Sequence, residues 1–144
     1  MVWRRVYSGS SGEENVGYCR AIILPHSDGD WIHVSGTTGY DYRAGLISHD
    51  AEDQTRQALR NLEVALQEAG AGWDDVYFYR AYVRDAQVWS VAAPVLAERF
   101  RAGRPASTAV IAPAMDPAIL VEIEIDAHTG PPTVDQRDRT TATR

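Results

Sequence analysis

Three carboxylates recur at alternate positions near the C-terminal end of the chain: Glu122, Glu124 and Asp126, interleaved with Val121, Ile123, Ile125 and Ala127. A period of two is a strand signal, so the acids share one face and the aliphatic residues the other. Three acids on a strand face are ordinarily a solvated surface. They become chemically interesting where another subunit covers that face, because a desolvated carboxylate's pKa rises and it can orient or deprotonate a water molecule. A second pair with chemical potential is Tyr18 and Arg20, whose spacing of two sends both side chains from the same face of a strand. Tyr18 can donate a hydrogen bond to a substrate or a bound water, with an interface aromatic as its alternative reading. Arg20 is either a bidentate donor or an ordinary surface charge.

Other residue types offer less. Ser107 and Thr108 can hydrogen-bond a ligand, but no sequence partner suggests an activated nucleophile. His26, His33, His49 and His128 are scattered, with no Cys or carboxylate at ligand spacing, so no metal site is expected. Gly36-Thr37-Thr38-Gly39 lacks the Lys-Ser/Thr and the strand–loop–helix setting of a phosphate loop, and reads as a loop offering backbone N–H groups.

The elements that position these residues follow from pattern. Residues 1–7 suit a short edge strand, and Ser8 to Asn15 a polar loop. Gly17 to Leu24 and Trp31 to Ser35 form a hairpin about an Asp-Gly turn, and a loop then runs from Gly36 to about Ser48. Asp50 caps a helix whose apolar face carries Thr55, Ala58, Leu59, Leu62, Ala65, Leu66 and Ala69, closed by Gly70. Asp75 to Val83 is a central strand apolar or aromatic on both faces. Asp85 caps a second helix burying Trp89, Ala92, Leu96 and Phe100, in which Pro94 predicts a kink or a late start. Ser107 to Ile111 and Val121 to Ala127 are the last strands, joined by a loop through Ala-Pro-Ala-Met-Asp-Pro.

The result is an α+β domain, ββαβαββ, over residues 1–127, followed by a flexible tail, 128–144, without apolar pattern. Its sheet is mixed or antiparallel. Two helices cover only one face of such a sheet. Tyr77, Tyr79 and Val83, or their counterparts on the opposite face, would stand in water unless the chain self-associates.

The 144 residues carry a formal net charge of −6 and have a pI near 5.1, opposite to the basic stripe of a nucleic-acid binder. Cys19 is the single cysteine, which favours a reducing, cytoplasmic setting. Neither a signal peptide nor an apolar run long enough for a membrane span is expected.

Five segments together resemble the Rid family (YjgF/YER057c/UK114), often labelled endoribonuclease L-PSP. They are Gly17-Tyr18, Val34-Ser35-Gly36-Thr37, Gln57-Ala58-Leu59-Arg60-Asn61-Leu62, Arg104-Pro105-Ala106 and Val121-Glu122-Ile123-Glu124. The resemblance spans roughly residues 16 to 127. It implies a chorismate-mutase-like fold, a homotrimer with clefts between subunits, and hydrolysis of small enamines and imines to a keto acid and ammonia without metal or cofactor. The family's catalytic glutamate falls on Glu122, its tyrosine on Tyr18 and its glycine on Gly36. Its carboxylate-gripping arginine falls on Ser107, so this chain looks like an arginine-lacking branch. Ala109, on the same strand, joins Ser107 and Gly36 among the substrate-binding positions, and a helix position that is often asparagine aligns with Ala93. Arg20, or Arg104, would then have to supply the missing donor. The leading expectation is an imine deaminase acting on a small enamine, imine or carboxylic acid. A non-catalytic metabolite-binding trimer is the alternative, and an endoribonuclease a third that the acidic balance opposes.

Overall fold

A computed structural model describes residues 2–130. Six strands form one sheet in the order β1-β2-β3-β8-β6-β7. They are β1 (Arg4–Val6), β2 (Ala21–Leu24), β3 (Trp31–Thr38), β6 (Val76–Val83), β7 (Ala106–Ile111) and β8 (Val121–His128). Neighbours pair antiparallel except β6 and β7, which run parallel. A parallel pair needs a long crossover, and helix α3 (Ala86–Phe100) supplies it. Helix α2 (Ala51–Ala69) packs beside α3 on the same face.

Both helices start and stop where their end residues require. The Asp50 and Asp85 carboxylates accept from the Asp53 and Val88 amides, and Gly70 closes α2 in the left-handed region at φ 86°. Pro94 lies inside α3, which nevertheless begins at Ala86 and not late. Pro94 and Ser90, whose carbonyl loses its helical partner, are both exposed, so water can satisfy that group. The core lies between helices and sheet: Leu62, Leu66 and Leu96 meet Ile23, Val34, Val121, Ile123 and Ile125, all at most 1% exposed.

Four features differ from the sequence reading. Ser8 to Asn15 contains a short helix, α1 (Ser11–Val16), ended by Gly17 at φ 88°. Strand β3 does not stop at Ser35. A register shift between Val34 and Thr37 lets it continue through Gly36 to Thr38. The remaining loop folds into a small hairpin, β4 (Tyr40–Asp41) with β5 (Leu46–Ile47). Finally, β6 is not the centre of the sheet, which is formed by β3 and β8.

A second register shift, between Val76 and Phe78, decides which face of β6 is bare. Tyr79 stacks on Phe100 of α3 with ring centres 4.2 Å apart, and Val83 is buried. It is their counterparts Phe78, Arg80 and Tyr82 that stand on the helix-free face, with Tyr77 at the irregularity. Residues 128–130, assigned to the tail by composition, belong to the fold. His128 ends β8, and Thr129 and Asp30 exchange hydrogen bonds. The rest of the expected tail, 131–144, lies outside the described residues.

One-sided burial makes a direct stability prediction within α2. Leu62→Ala should lower unfolding free energy by about 2–5 kcal/mol, the range for emptying a packed leucine site. Val64→Ala, on the exposed side of the same helix, should change it by about 0.5 kcal/mol or less. Urea denaturation of the two variants checks the contrast.

Candidate functional site

The three carboxylates of β8 have separate fates. Glu124 pairs with Arg80 of β6, and Asp126 with His33 of β3. Glu122 has no such partner among the described residues. It sits in register between Thr38 and Tyr82, half-buried, with its carboxylate against the Gly36 backbone. Burial pushes its pKa up; the nearby Arg20 charge works in the opposite direction, and Glu124 adds to the rise. A β-carbon on Gly36 would lie 2.1 Å from Glu122 Oε1, so only glycine leaves room for this carboxylate.

Glu122 forms part of a cleft of about 730 Å³ lined also by Tyr18, Arg20, Gly36, Tyr40, Tyr42, Met115 and Asp116. The β3 end of its wall is tied to α2, where the Asn61 side chain donates to the Thr38 and Tyr40 carbonyls. The far wall is the loop between β7 and β8. Buried Gln54 holds it by donating to the Ala118 carbonyl and accepting from the Leu120 amide. The Tyr40 hydroxyl donates to Asp116 across the rim at 2.7 Å, raising the tyrosine's pKa and lowering the carboxyl's.

Of the residues nominated from sequence, Tyr18, Arg20, Gly36 and Glu122 meet in this cleft. Ser107 and Ala109 do not line it. They lie on exposed β7, where Ser107 is in register with Tyr79 and Ala109 with Ala81. Ser107 is therefore about 10 Å along and about 10 Å across the sheet from Glu122. Arg104 precedes β7, exposed at φ 45°, and likewise does not line the cleft.

Arg20 is only 2% exposed and is no surface charge. Its Nε donates to Glu13 at 3.0 Å, and Nη1 donates to the Gly36 carbonyl at 2.9 Å and Thr37 Oγ1 at 3.0 Å. Nη2 reaches the Tyr18 hydroxyl at 3.4 Å. Four of the five guanidinium N–H groups are thus engaged internally. The bidentate carboxylate clamp expected of Arg20 is not available in this arrangement. Glu13, Tyr40, Tyr42 and Asp116 were not foreseen as site residues. The Ser8–Asn15 segment that holds Glu13 has no periodic signal, and the other three lie in segments read as loop. Among the described residues, no group of three or more His, Cys, Asp or Glu is placed to hold a metal ion, and no helix is long and apolar enough to cross a membrane.

Residues 13–129 match the family described as Endoribonuclease L-PSP. The chain belongs to the Rid family. A RutC family protein from Pyrococcus horikoshii is 32% identical over 101 residues, which are 69% of this chain and 80% of that one. The human 2-iminobutanoate/2-iminopropanoate deaminase is 27% identical over 132 residues, 90% and 93% of the two chains. A YjgF/YER057c/UK114 family structure from Mycobacterium tuberculosis superposes with a TM-score of 0.76 at 39% identity, over 89% of this chain and all of that one. The mostly antiparallel sheet with helices on one face is thus the Rid fold.

The contact between Gly36 and Glu122 can be tested in this Rid protein without a substrate. Gly36→Ala should leave the fold intact, because the carboxylate is the free end of a side chain and can swing away. Glu122 should then titrate closer to an ordinary glutamate, about 4.3, as it moves toward solvent. Carboxyl-carbon NMR titration of the variant and the parent protein measures this downward shift.

Proposed function

We propose that this Rid protein is a hydrolytic deaminase of small reactive enamines and imines. The observation that carries the reading is Glu122, the β8 carboxylate without a side-chain partner among the described residues. Desolvation raises its pKa, and it lies beside Tyr18 and the Gly36 backbone in one cleft. The enamine first tautomerises to the imine. Glu122 takes a proton from water as the oxygen bonds to the imine carbon, giving a tetrahedral carbinolamine. Glu122 hands that proton to the nitrogen and then relays the hydroxyl proton to it as well, so the C–N bond breaks, a carbonyl compound and ammonia leave, and the carboxylate is restored. Tyr18 and the Gly36 backbone hold the substrate in line for the attack. The name of the human relative supports this class of reaction.

The distant β7 positions fit this reading if the site lies between subunits. A second copy would bring its Ser107 and Ala109 to the cleft, and burial of Phe78, Tyr82 and Tyr77 on the bare sheet face would favour such assembly. Taken as the homotrimer that the family resemblance implies, this assembly would have a mass by light scattering of three times the 15.9 kDa chain. The engagement of Arg20 and the serine at position 107 favour one rival, a metabolite-binding trimer without turnover. Ammonia release from a panel of imines separates the two.

Activity should depend on Glu122 and on its ionised form. Glu122→Gln should abolish ammonia release. Because the ionised carboxylate is the base, the rate should fall as pH drops through its pKa, and that limb should lie above the ordinary glutamate range of about 4.3. Ser107→Arg should improve 2-aminoacrylate turnover by about tenfold to a hundredfold. This corresponds to a charge-assisted hydrogen bond of about 1.5–3 kcal/mol.

A further inference from the structure

The Glu13–Arg20 ion pair is nearly sealed from solvent: the side chains are 4% and 3% exposed. Glu13 is anchored on its other side by the Ser8 and Gly9 amides and by the Ser8 hydroxyl at 2.6 Å. Arg20 also forms a wall between the Glu122 cleft and a second cavity of about 360 Å³, lined by Val6, Gln57, Asn61 and Val64 among others. Its guanidinium stacks near two rings that line the cleft, 5.5 Å from the centre of Tyr18 and 5.4 Å from that of Tyr42. The contacts it makes on the cleft side are the Gly36 carbonyl and the Tyr18 hydroxyl.

We propose that Glu13 and Arg20 are positioning residues of the cleft. Glu13 fixes the Arg20 guanidinium, which in turn sets the Tyr18 hydroxyl and the Gly36 backbone around the Glu122 carboxylate. The geometry argues for this division of labour. A guanidinium is a planar fork whose donors point in fixed directions, and clamping Nε through Glu13 fixes where Nη1 and Nη2 aim. Gly36 is the residue whose missing side chain makes room for Glu122, so fixing its carbonyl also fixes the carboxylate's seat. The charge bookkeeping is equally specific, since Glu13 neutralises Arg20 and leaves Glu122 with only part of the attraction a lone arginine would exert. The functional half of this inference rests on the deaminase reading; the electrostatic half does not.

The ionisable and charged groups around Glu122 are Glu124 on its own strand and Arg80 and Tyr82 on β6. Across the cleft are Glu13, Tyr18 and Arg20 from the N-terminal segment, Tyr40, Asp41 and Tyr42 from the hairpin, and Asp116 from the far loop. Three variants separate the pair from these neighbours. Glu13→Gln leaves an unbalanced positive charge, so Glu122 should titrate below the parent protein. The double variant Glu13→Gln/Arg20→Met removes both charges while keeping an apolar stem between the two cavities, so Glu122 should titrate above it. Arg20→Lys keeps the charge and loses the fork. Glu122 should then titrate near the parent value while kcat/KM for a neutral imine falls by about tenfold to a hundredfold, the scale of a small misplacement.

Carboxyl-carbon NMR of Glu122, alongside ammonia release across pH, reads both effects, with circular dichroism reporting folding. Opposite shifts in the first two variants, together with the rate loss in Arg20→Lys, support the proposal. Should Glu13→Gln not fold, an upward shift in the charge-balanced double variant still decides the electrostatic half. Identical Glu122 titration in every folded variant, or full activity in Arg20→Lys, overturns it. Shifts of opposite sign in a protein that releases no ammonia would support the electrostatic pairing and defeat the deaminase reading alone.

Discussion

An arginine at 2% exposure is held in this fold because Glu13 neutralises it and three other acceptors engage three more of its N–H groups. Desolvating two ions costs several kcal/mol each, and their attraction offsets this only with good geometry and satisfied hydrogen bonds. That requirement ties distant parts of the chain together. Helix α1 brings Glu13 against Arg20, just ahead of β2; the Ser8 and Gly9 amides meet its carboxylate; and β3 presents its Gly36 carbonyl and Thr37 hydroxyl to Arg20. Removing either ion alone would leave its partner buried and uncompensated, a cost of about 3–5 kcal/mol. Three parts of the chain, between Ser8 and Thr37, are therefore organised by one guanidinium.

The bare face of the sheet obeys a different rule. With both helices on the other side, its polar residues pair across strands, Glu124 with Arg80 and Asp126 with His33. The aromatics cluster: Trp31 meets Tyr77 edge-on, with ring centres 5.7 Å apart, and lies 4.3 Å from His128. Glu122 stands apart because it lies beyond the β3 irregularity, where its in-register neighbours are Thr38 and Tyr82 and no cation is opposite.

What was legible in the sequence was whatever local physics determines. The alternation from Val121 to Ala127 reports one-sided burial directly, and the observed strand buries those same aliphatic residues. Asp50, Gly70 and Asp85 act through neighbours within four residues, so their capping roles could be read without the fold. Helix α1 could not be, because its one buried residue is a glutamate held by tertiary contacts and not by an apolar period. Gly36 looked like a strand breaker, whereas the partner strand accommodates it as an irregularity. On β6, the register shift at Tyr77 changes which parity faces the helices, which alternation alone cannot reveal. Arg20 does lie beside Tyr18, but both residues precede β2, which begins at Ala21 and not at Gly17, so a strand spacing is not what brings them together, and the burial of Arg20 depends on an acid in a segment without pattern.

The charges of the cleft bear on which imines such a site can serve. Its lining contains three carboxylates, on Asp41, Asp116 and Glu122, and one cation, Arg20, which Glu13 already balances from behind. A single chain thus presents a substrate carboxylate with repulsion and no free fork to grip it. The same field favours a protonated imine, which is the more electrophilic form toward water and the one whose charge is lost as the carbinolamine forms. A cleft of this sign gains electrophilicity at the imine carbon at the cost of anionic substrates. Within the deaminase reading, Glu122 and the acidic lining around it are then two parts of one electrostatic arrangement, suited to neutral or cationic imines.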